Sequence, residues 1–286
     1  MSARIIDGKK IADGLGEANA TRAEALRRTG IEPTLAILTP EGDPNAAAYA
    51  RSLTKAGTRC GLVVRTEELP ADVDPSGFSK LLREAGTVAH GVLVLRPLPA
   101  GLDPDAVNSL MDPARDVDGV HPQNAGLLAL GRPRFVPATA RAVHHLLKTT
   151  GVELVGRRAV IIGRSNIVGK PLFQLFLAEH LTVTVCHSRT VDLPGVAREA
   201  EVLAVAVGRA QMVTPEYVKP GAVVLDAGYN WNDELGREEG DVHPDVAETA
   251  GWFTPVPGGV GPVTTQMLVE NALRAAQVIH DIRDNL

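Results

Sequence analysis

Apolar runs and amphipathic segments alternate along the first half of the chain. Short runs of apolar or β-branched residues predict buried strands, and segments with apolar residues three or four apart predict helices. The predicted strands cover residues 34–38, 62–65 and 91–95, and the predicted helices cover residues 11–28, 45–59 and 75–84. Repeated units of strand and helix build a parallel sheet with helices on both faces, so the pattern predicts an α/β fold.

The second half continues this alternation after a segment of different composition. Residues 112–140 are rich in Pro, Asp and Gly and contain no long periodic run, which indicates a functional loop and a connection between two lobes. A helix over residues 140–149 could bridge these lobes. Further strands are predicted at residues 159–162, 181–186, 202–207 and 222–226. The last predicted helix, residues 263–284, has an apolar face that we expect to return to the first lobe, formed by Leu268, Ala272, Ala275, Ile279 and Ile282.

Length and composition narrow the class of protein. A chain of 286 residues exceeds a typical single domain, so two lobes are expected. The net charge of −5 argues against a nucleic-acid or anionic-membrane partner, and no run of about 18 apolar residues predicts a membrane span. With no signal-peptide pattern, a cytoplasmic location is expected. Cys60 and Cys186 form neither a disulfide framework nor a metal-ligand spacing, so no metal site is predicted.

The most informative segment is residues 158–171, with the sequence RAVIIGRSNIVGKP. An apolar strand ends at Gly163, which permits a tight turn, and Gly169 permits the next helix to approach closely. A helix that begins there can offer its N-terminal N–H groups to the pyrophosphate of a dinucleotide. The spacing of these glycines is not the G-x-G-x-x-G of many nucleotide sites, and a plain strand-to-helix turn also uses glycine.

The tip of the following strand favours a particular dinucleotide. A site selective for NAD usually has an acidic residue there, about 20 residues after the glycine turn, to bind the ribose 2′-hydroxyl. This chain instead has His187, Ser188 and Arg189. Together with Arg164, these side chains could bind the 2′-phosphate of NADP through charge-assisted hydrogen bonds. NADP is therefore the predicted cofactor, and the predicted cofactor-binding residues are Gly163, Arg164, Ser165, Gly169, Ser188 and Arg189; solvated loop residues are the alternative.

Several phrases, taken in order, resemble one known family. They are DGK at 7–9, PLPAGLDPDAVN at 97–108, RDVDGVHPQNAG at 115–126, GRSNIVGKP at 163–171, CHSRT at 186–190 and TPVPGGVGPVT at 254–264. Together they resemble the methylenetetrahydrofolate dehydrogenase/cyclohydrolase family over nearly the whole length. The resemblance implies a folate-binding lobe, a Rossmann-like NAD(P)-binding lobe, a cleft between them and a homodimer. It also implies two reactions, hydride transfer from 5,10-methylenetetrahydrofolate to NADP and hydrolysis of the methenyl product to 10-formyltetrahydrofolate.

The resemblance also assigns domains and substrate-binding residues. It implies a tetrahydrofolate domain of residues 1–140 with 265–286, and a nucleotide-binding domain of residues 141–264. Tyr49 matches the family's tyrosine that packs on the folate ring system, and Asp118 matches its aspartate that binds the amide and amino edge of the pterin; both are predicted catalytic residues. The loop with Pro257, Gly258 and Gly259 is predicted to bind substrate as well.

The chain departs from the family at the catalytic lysine. In the family this lysine follows the tyrosine by four residues, on the same face of a helix, and here that position is Leu53. Lys55 is no substitute, because six residues correspond to about 240° around the helix axis. The family's glutamine in LVQLPLP is replaced by Leu95, beside Arg96, and its serine by Ala46. A further departure is the sequence PATA at 137–140, where the family more often has P-C-T-P.

These changes predict a divergent function. Hydride transfer depends mainly on positioning two reactants, whereas the hydrolysis needs a group that moves protons. We therefore expect NADP-dependent dehydrogenase activity with cyclohydrolase activity lost or impaired. The alternatives are a non-catalytic paralogue that binds nucleotide or folate, and an oxidoreductase with an altered substrate. Arg96 could bind an anionic group of such a substrate or be an ordinary surface arginine.

Overall fold

The computed structural model describes residues 2–281, which form eleven strands and nine α-helices within that range. The strands are β1 (Arg4–Ile5), β2 (Thr34–Pro40), β3 (Val63–Leu69), β4 (Gly91–Val94), β5 (Arg158–Ile162), β6 (Thr182–Cys186), β7 (Val202–Val205), β8 (Val223–Asp226), β9 (Asn230–Asn232), β10 (Arg237–Glu239) and β11 (Trp252–Phe253). The helices are α1 (Gly8–Arg28), α2 (Pro44–Arg59), α3 (Pro75–Val88), α4 (Pro104–Leu110), α5 (Pro122–Ala129), α6 (Ala138–Thr149), α7 (Gly169–Ala178), α8 (Leu193–Ala197) and α9 (Val260–Ile279).

The chain divides into two compact units. The six-stranded unit contains Met1–Ala12 and Pro137–Thr264, and the three-stranded unit contains Asp13–Val136 and the segment that begins at Thr265. The helices α1 and α9 each have residues in both units. The first twelve residues therefore differ from the predicted division, which assigned them to the folate lobe. The reason is that β1 pairs in parallel with β11, as an edge strand of the larger sheet.

The sheet of the three-stranded unit is parallel, in the order β3-β2-β4. The central strand β2 is buried at all seven positions, as expected for a parallel strand covered on both faces. Three helices of this unit begin in the same way, with an aspartate N-cap followed by proline. Asp43, Asp74 and Asp103 each accept a hydrogen bond from the backbone N–H three residues later.

The larger sheet is parallel, in the order β1-β11-β8-β7-β5-β6. The strands β7 and β8 are buried at every position. Because the strands run in one direction, the segments that follow β5, β6, β7 and β8 leave the same edge of the sheet. This carboxyl edge is where open α/β sheets bind ligands. The predicted α/β fold with parallel sheets is confirmed.

Some predicted elements need correction. Residues 112–140 contain a helix, α5, where no long periodic segment was predicted, because its eight residues make only about two turns. The helix predicted at residues 140–149 is α6, and all of it belongs to the six-stranded unit. The last helix spans Val260–Ile279, and Ile282 and Asp284 of the prediction lie outside the described residues.

From Thr265 onward, α9 belongs to the three-stranded unit, as expected for a last helix that returns to the first lobe. Asn271 is buried, and its side-chain amide donates to the carbonyl oxygens of Val117 and Val136 at 2.7 and 3.0 Å. Arg274 donates to the carbonyl of Arg134 at 2.6 Å. These polar contacts fix the helix against the DVDG sequence and against residues 134–136. No helix among residues 2–281 is both long and apolar enough to cross a membrane.

Candidate functional site

The glycine turn after β5 is closed by two very close backbone approaches. Gly163 has φ of 127°, and a Cβ atom there would lie 2.2 Å from the carbonyl oxygen of Ala206. A Cβ on Gly169, the first residue of α7, would lie 2.1 Å from the carbonyl oxygen of Gly163. Both positions therefore require glycine, and the N-terminus of α7 is packed directly on the end of β5.

Residues 164–168 form a largely exposed loop that is tied to the start of α7. The hydroxyl of Ser165 accepts from the backbone N–H of Val168 at 3.1 Å, and its carbonyl accepts from the N–H of Lys170 at 3.0 Å. The side chain of Lys170 donates to Asn166 Oδ1 at 2.7 Å. Arg164 and Ser165 are both exposed at the carboxyl edge of the sheet. The loop thus presents polar and cationic groups around a helix N-terminus, which suits an anionic ligand.

The tip of β6 lies beside this loop. Ile162 at the end of β5 pairs with Cys186 at the end of β6, so the two following segments leave neighbouring strands. His187 shapes the tip, because its N–H donates to the Thr190 hydroxyl and its Nδ1 accepts from the N–H of Arg189. Ser188 and Arg189 are exposed. The structure therefore brings the predicted cofactor residues of both strands to one edge of the sheet.

A buried carboxylate that the sequence analysis missed organises the neighbouring loops of the same edge. Asp241 is fully buried and accepts four hydrogen bonds, from the backbone N–H groups of Val207, Gly208 and Arg209 and from the side chain of Asn230, at 2.6–3.0 Å. This carboxylate fixes the segment after β7. The signal in the sequence was the dipeptide Gly240-Asp241 after a hairpin, which by itself does not distinguish an anchor from a turn.

A second buried carboxylate, Asp226 at the end of β8, contacts the segment that carries Asp241. It accepts from the backbone N–H groups of Gly228, Asp241 and Val242 at 2.8–3.1 Å. Burial raises the pKa of Asp226 to about 7, and the negative charge of Asp241 acts in the same direction, against the three N–H donors that favour the ionised form. The two aspartates together join the ends of β7 and β8 to residues 240–242.

The DGK and PGGVGP sequences, which are far apart in the chain, meet in the six-stranded unit. A Cβ on Gly8 would lie 1.8 Å from the carbonyl oxygen of Gly259, and the N–H of Lys9 donates to the carbonyl of Gly258 at 3.1 Å. Gly258 itself has φ of 101°. The predicted substrate-binding loop, with Pro257, is thus supported by the start of α1. Tyr49 and Asp118 belong to the three-stranded unit and this loop to the six-stranded unit.

In the three-stranded unit, the helix α2 carries the predicted tyrosine and the leucine that replaces the lysine. The buried residues of α2 are Ala46, Ala50, Leu53 and Gly57, which form one stripe along the helix. Leu53 lies on this stripe and is 0% exposed. Lys55 is exposed, so its ammonium does not take the place of the missing lysine.

Asp118 acts electrostatically on both Tyr49 and Arg96. Tyr49 is 36% exposed as a residue, yet burial around its hydroxyl raises the pKa of the phenol, and the negative charge of Asp118 adds to this effect. Burial lowers the pKa of the Arg96 guanidinium, and Asp118 opposes that shift. Asp118 therefore lies near enough to both groups, within the three-stranded unit, for its charge to act on them.

The DVDG loop that carries Asp118 is held by its first aspartate. Asp116 is fully buried, and its carboxylate accepts from the N–H groups of Val120 and His121 at 3.1 and 2.8 Å and from Asn124 at 2.8 Å. Burial raises the pKa of Asp116, and these three donors oppose the shift. Asp116 thus positions the loop, whereas the half-buried Asp118 can meet a ligand.

The segment after β4 carries two further substituted positions of the three-stranded unit, Leu95 and Arg96. Leu95 is buried, and its N–H donates to the carbonyl of Leu38 at 2.8 Å, which continues the sheet by one residue. The next residue, Arg96, is exposed and donates from Nη2 to Asn108 Oδ1 at 2.8 Å. The apolar substitution at Leu95 therefore packs into the unit, while a cation stands directly beside it.

Comparison with known proteins agrees with this arrangement. Residues 137–280 match the NAD(P)-binding domain of tetrahydrofolate dehydrogenase/cyclohydrolase, and residues 6–118 match the catalytic domain of the same family. The chain belongs to the tetrahydrofolate dehydrogenase/cyclohydrolase family. The bifunctional protein FolD of Parafrankia sp. (strain EAN1pec) is 46% identical over 274 residues, which cover 96% of this chain and 99% of that protein.

Solved structures of tetrahydrofolate dehydrogenase/cyclohydrolase proteins have the same fold. The bifunctional FolD enzyme of Campylobacter jejuni superposes with a TM-score of 0.93 at 35% identity, over 96% of this chain and 99% of that one. FolD of Trypanosoma brucei, solved in complex with NADP cofactor and an inhibitor, gives a TM-score of 0.92 at 34% identity and covers 99% of both chains. In this family member, residues 2–281 hold no cluster of three or more His, Cys, Asp or Glu that could bind a metal.

Proposed function

We propose that this protein is an NADP-dependent 5,10-methylenetetrahydrofolate dehydrogenase in which the methenyltetrahydrofolate cyclohydrolase activity is lost or strongly reduced. The observation that carries the proposal is the fully buried Leu53, one helical turn from a retained Tyr49. The dehydrogenase part is supported by family membership and by a relative that was solved with NADP bound.

The residues at the carboxyl edge of the larger sheet suit NADP. The close contact of Gly163 with Gly169 leaves no side chain between the turn and the N-terminus of α7, where a pyrophosphate would be bound. The exposed Arg164, Ser188 and Arg189 would hold the 2′-phosphate, since no acidic residue occupies the tip of β6. When bound, the nicotinamide ring accepts the hydride, and the protein supplies binding and orientation.

The substrate residues suit the ring system of a folate. The ring of Tyr49 offers a partly exposed aromatic face, and Asp118 offers a carboxylate that accepts hydrogen bonds from an amide and amino edge. We assign both residues to substrate binding, with Pro257, Gly258 and Gly259 of the PGGVGP loop as further contributors. The hydride step needs these groups to bind and align the substrate, not to move a proton.

The hydrolytic step has different requirements. Water must add to the methenyl carbon, and the tetrahedral intermediate must gain and lose protons through a positioned group. Leu53 cannot do this, and the buried Leu95 and Ala46 replace the polar neighbours that the family uses. Losing such a group typically lowers the rate by about 10²- to 10⁴-fold.

The test is to assay the two activities separately on the purified protein. We expect NADPH to form from methylenetetrahydrofolate and NADP, observed at 340 nm, and methenyltetrahydrofolate to decay at the rate of a buffer control. Hydrolysis at the rate of a bifunctional relative such as the Parafrankia protein would overturn the proposed loss. Failure to form NADPH, with NADP binding retained, would point to the non-catalytic or altered-substrate alternative. A homodimer is proposed from family resemblance, and sedimentation of the purified chain tests it.

A further inference from the structure

Arg96 is a substitution that the proposed function does not explain. The segment after β4 lies beside the DVDG loop, because Val92 of β4 pairs with Asp116 and its N–H donates to the carbonyl of Arg115 at 2.8 Å. In agreement with this placement, the charge of Asp118 acts on the pKa of both the Arg96 guanidinium and the Tyr49 phenol. The apolar residues beside these groups are the buried Leu53 and Leu95. A cation at this place therefore faces the same ligand-binding region as the tyrosine and the aspartate.

The exposed side chain of Arg96 is oriented by a hydrogen bond to a neighbouring helix. Its backbone directly follows Leu95, which is hydrogen-bonded to Leu38 as an extension of the sheet. Its Nη2 donates to the Oδ1 of Asn108, a half-buried residue of α4. Partial burial lowers the pKa of the guanidinium, and the negative charge of Asp118 opposes that shift. A guanidinium carries five N–H donors, so the bond to Asn108 uses one of them.

The chemistry of the three groups defines the ligand edge that they can bind together. A carboxylate only accepts hydrogen bonds and a guanidinium only donates them. Tyr49 adds an aromatic face for a ligand ring. Asp118 would pair with hydrogen-bond donors of that ring, and Arg96 would pair with a hydrogen-bond acceptor. The 2-amino-4-oxopyrimidine ring of a pterin has this pattern, with an amino group and a ring N–H beside a carbonyl oxygen. A 2,4-diamino ring has an amino group in place of that carbonyl, and its N–H would point at the guanidinium.

We propose that Arg96, positioned by Asn108, is a specificity-determining residue that donates to the 4-oxo group of the pterin ring while Asp118 accepts from its amide and amino edge. The inference deepens the proposed function and rests on it, because it takes the folate site at Tyr49 and Asp118 as given. It predicts that this protein distinguishes a 4-oxo ring from a 4-amino ring through a cation that follows β4.

The experiment compares two probes that differ at one position. Folic acid carries the 4-oxo ring and aminopterin the 4-amino ring, and both have the same side chain and glutamate. Calorimetry measures both dissociation constants for the full chain and for Arg96→Leu, Arg96→Lys and Asn108→Ala. Arg83→Leu is the matched control, because it removes an exposed arginine on α3 that donates to Ser79 instead.

Arg96→Leu should raise the dissociation constant of folic acid by about 10- to 100-fold, the usual effect of losing a hydrogen bond to a charged group. The dissociation constant of aminopterin should change far less. The ratio of the two affinities then shifts at least about tenfold. Arg96→Lys should retain part of the preference, Asn108→Ala should lose part of it, and Arg83→Leu should leave both constants unchanged. The KM for methylenetetrahydrofolate should rise in Arg96→Leu with little change in kcat.

Two results would overturn the role of Arg96 while leaving the proposed function intact. If Arg96→Leu weakens the binding of both probes equally, the arginine binds the glutamate that they share and not the ring. If it changes neither affinity while the unmodified chain binds both, the arginine is a surface residue. If the unmodified chain binds neither probe and forms no NADPH, the proposed function fails first, and the role of Arg96 fails with it.

Discussion

At the scale of single residues, the substitution at Leu53 gives the sharpest prediction. We expect the triple variant Ala46→Ser, Leu53→Lys, Leu95→Gln to hydrolyse methenyltetrahydrofolate at least about 100-fold faster than the unmodified chain, since it restores a proton-transferring group with polar neighbours. Leu53→Lys alone should increase the rate of hydrolysis less, because all three positions are buried and a single ammonium there would lack polar partners. The decay of methenyltetrahydrofolate absorbance measures the rate. A triple variant that folds and binds NADP but stays at the buffer rate would contradict this account.

Gly8 gives a second prediction at this scale. A methyl group there would overlap the backbone of Gly259 at 1.8 Å, and backbone cannot move aside as a flexible side chain can. Gly8→Ala should therefore lower the free energy of unfolding by about 1–3 kcal/mol, and it should raise the KM for methylenetetrahydrofolate by displacing the PGGVGP loop. Gly14→Ala is the control, because a Cβ at that helical glycine meets nothing within 4 Å. Urea denaturation of both variants measures the difference, and equal midpoints would refute the contact.

At the scale of elements, the apolar patterns predicted most strands and long helices, because each buries a continuous run or a regular stripe. The strand β2 and the stripe of α2 are examples, and the exposed Lys55 agrees with the predicted helix register. The short helix α5 was missed because its capping and packing depend on His121 and Asn124, which have no periodic signature.

The candidate site could be predicted only in part for a related reason. Tyr49 and Asp118 were found through resemblance to a family, and their proximity is a property of the fold. Asp241 and Asp226 were missed, because their role depends on which backbone N–H groups surround them after folding. A sequence shows that a carboxylate is present but does not show what it accepts from.

The paired aspartates at the ends of β7 and β8 predict a pH dependence of stability. An unfolded aspartate has a pKa near 3.9, and burial raises that of Asp226 to about 7 in the folded chain. Between these values the folded state binds more protons than the unfolded state, so this residue makes stability fall as the pH rises from about 4 to about 7. Between pH 5 and pH 8 the free energy of unfolding should fall by about 2–3 kcal/mol because of this residue.

Asp226→Asn should remove this slope. It should also lower stability at pH 5 by about 1–3 kcal/mol, because an amide NH₂ would face the N–H of Val242 or of Gly228 and Asp241. Asp233→Asn serves as the control, since it removes an exposed carboxylate and should keep the slope. Urea unfolding at several pH values gives the free energies. The same slope in Asp226→Asn and the unmodified chain would exclude Asp226 as its source.

At the scale of the whole molecule, the division into two units predicts that each ligand protects a different part of the chain. The glycine turn and the tip of β6 belong to the six-stranded unit, whereas Tyr49, Asp118 and Arg96 belong to the three-stranded unit. A ligand at 100 times its dissociation constant stabilises the state that binds it by about 2.7 kcal/mol. Amides that exchange only through opening of the binding site should then exchange about 100-fold more slowly.

Hydrogen exchange followed by mass spectrometry tests this division. NADP should slow exchange mainly in residues 163–172 and 186–190, and folic acid mainly in residues 44–60 and 116–124, with a contribution from the PGGVGP loop at 257–259. Arg189→Leu should reduce the protection by NADP without changing the protection by folic acid, because Arg189 follows β6 and takes no part in the proposed folate site. Tyr49→Ala should have the opposite effect. Protection by NADP that is confined to residues 44–60 would show that the roles of the two units have been assigned the wrong way round.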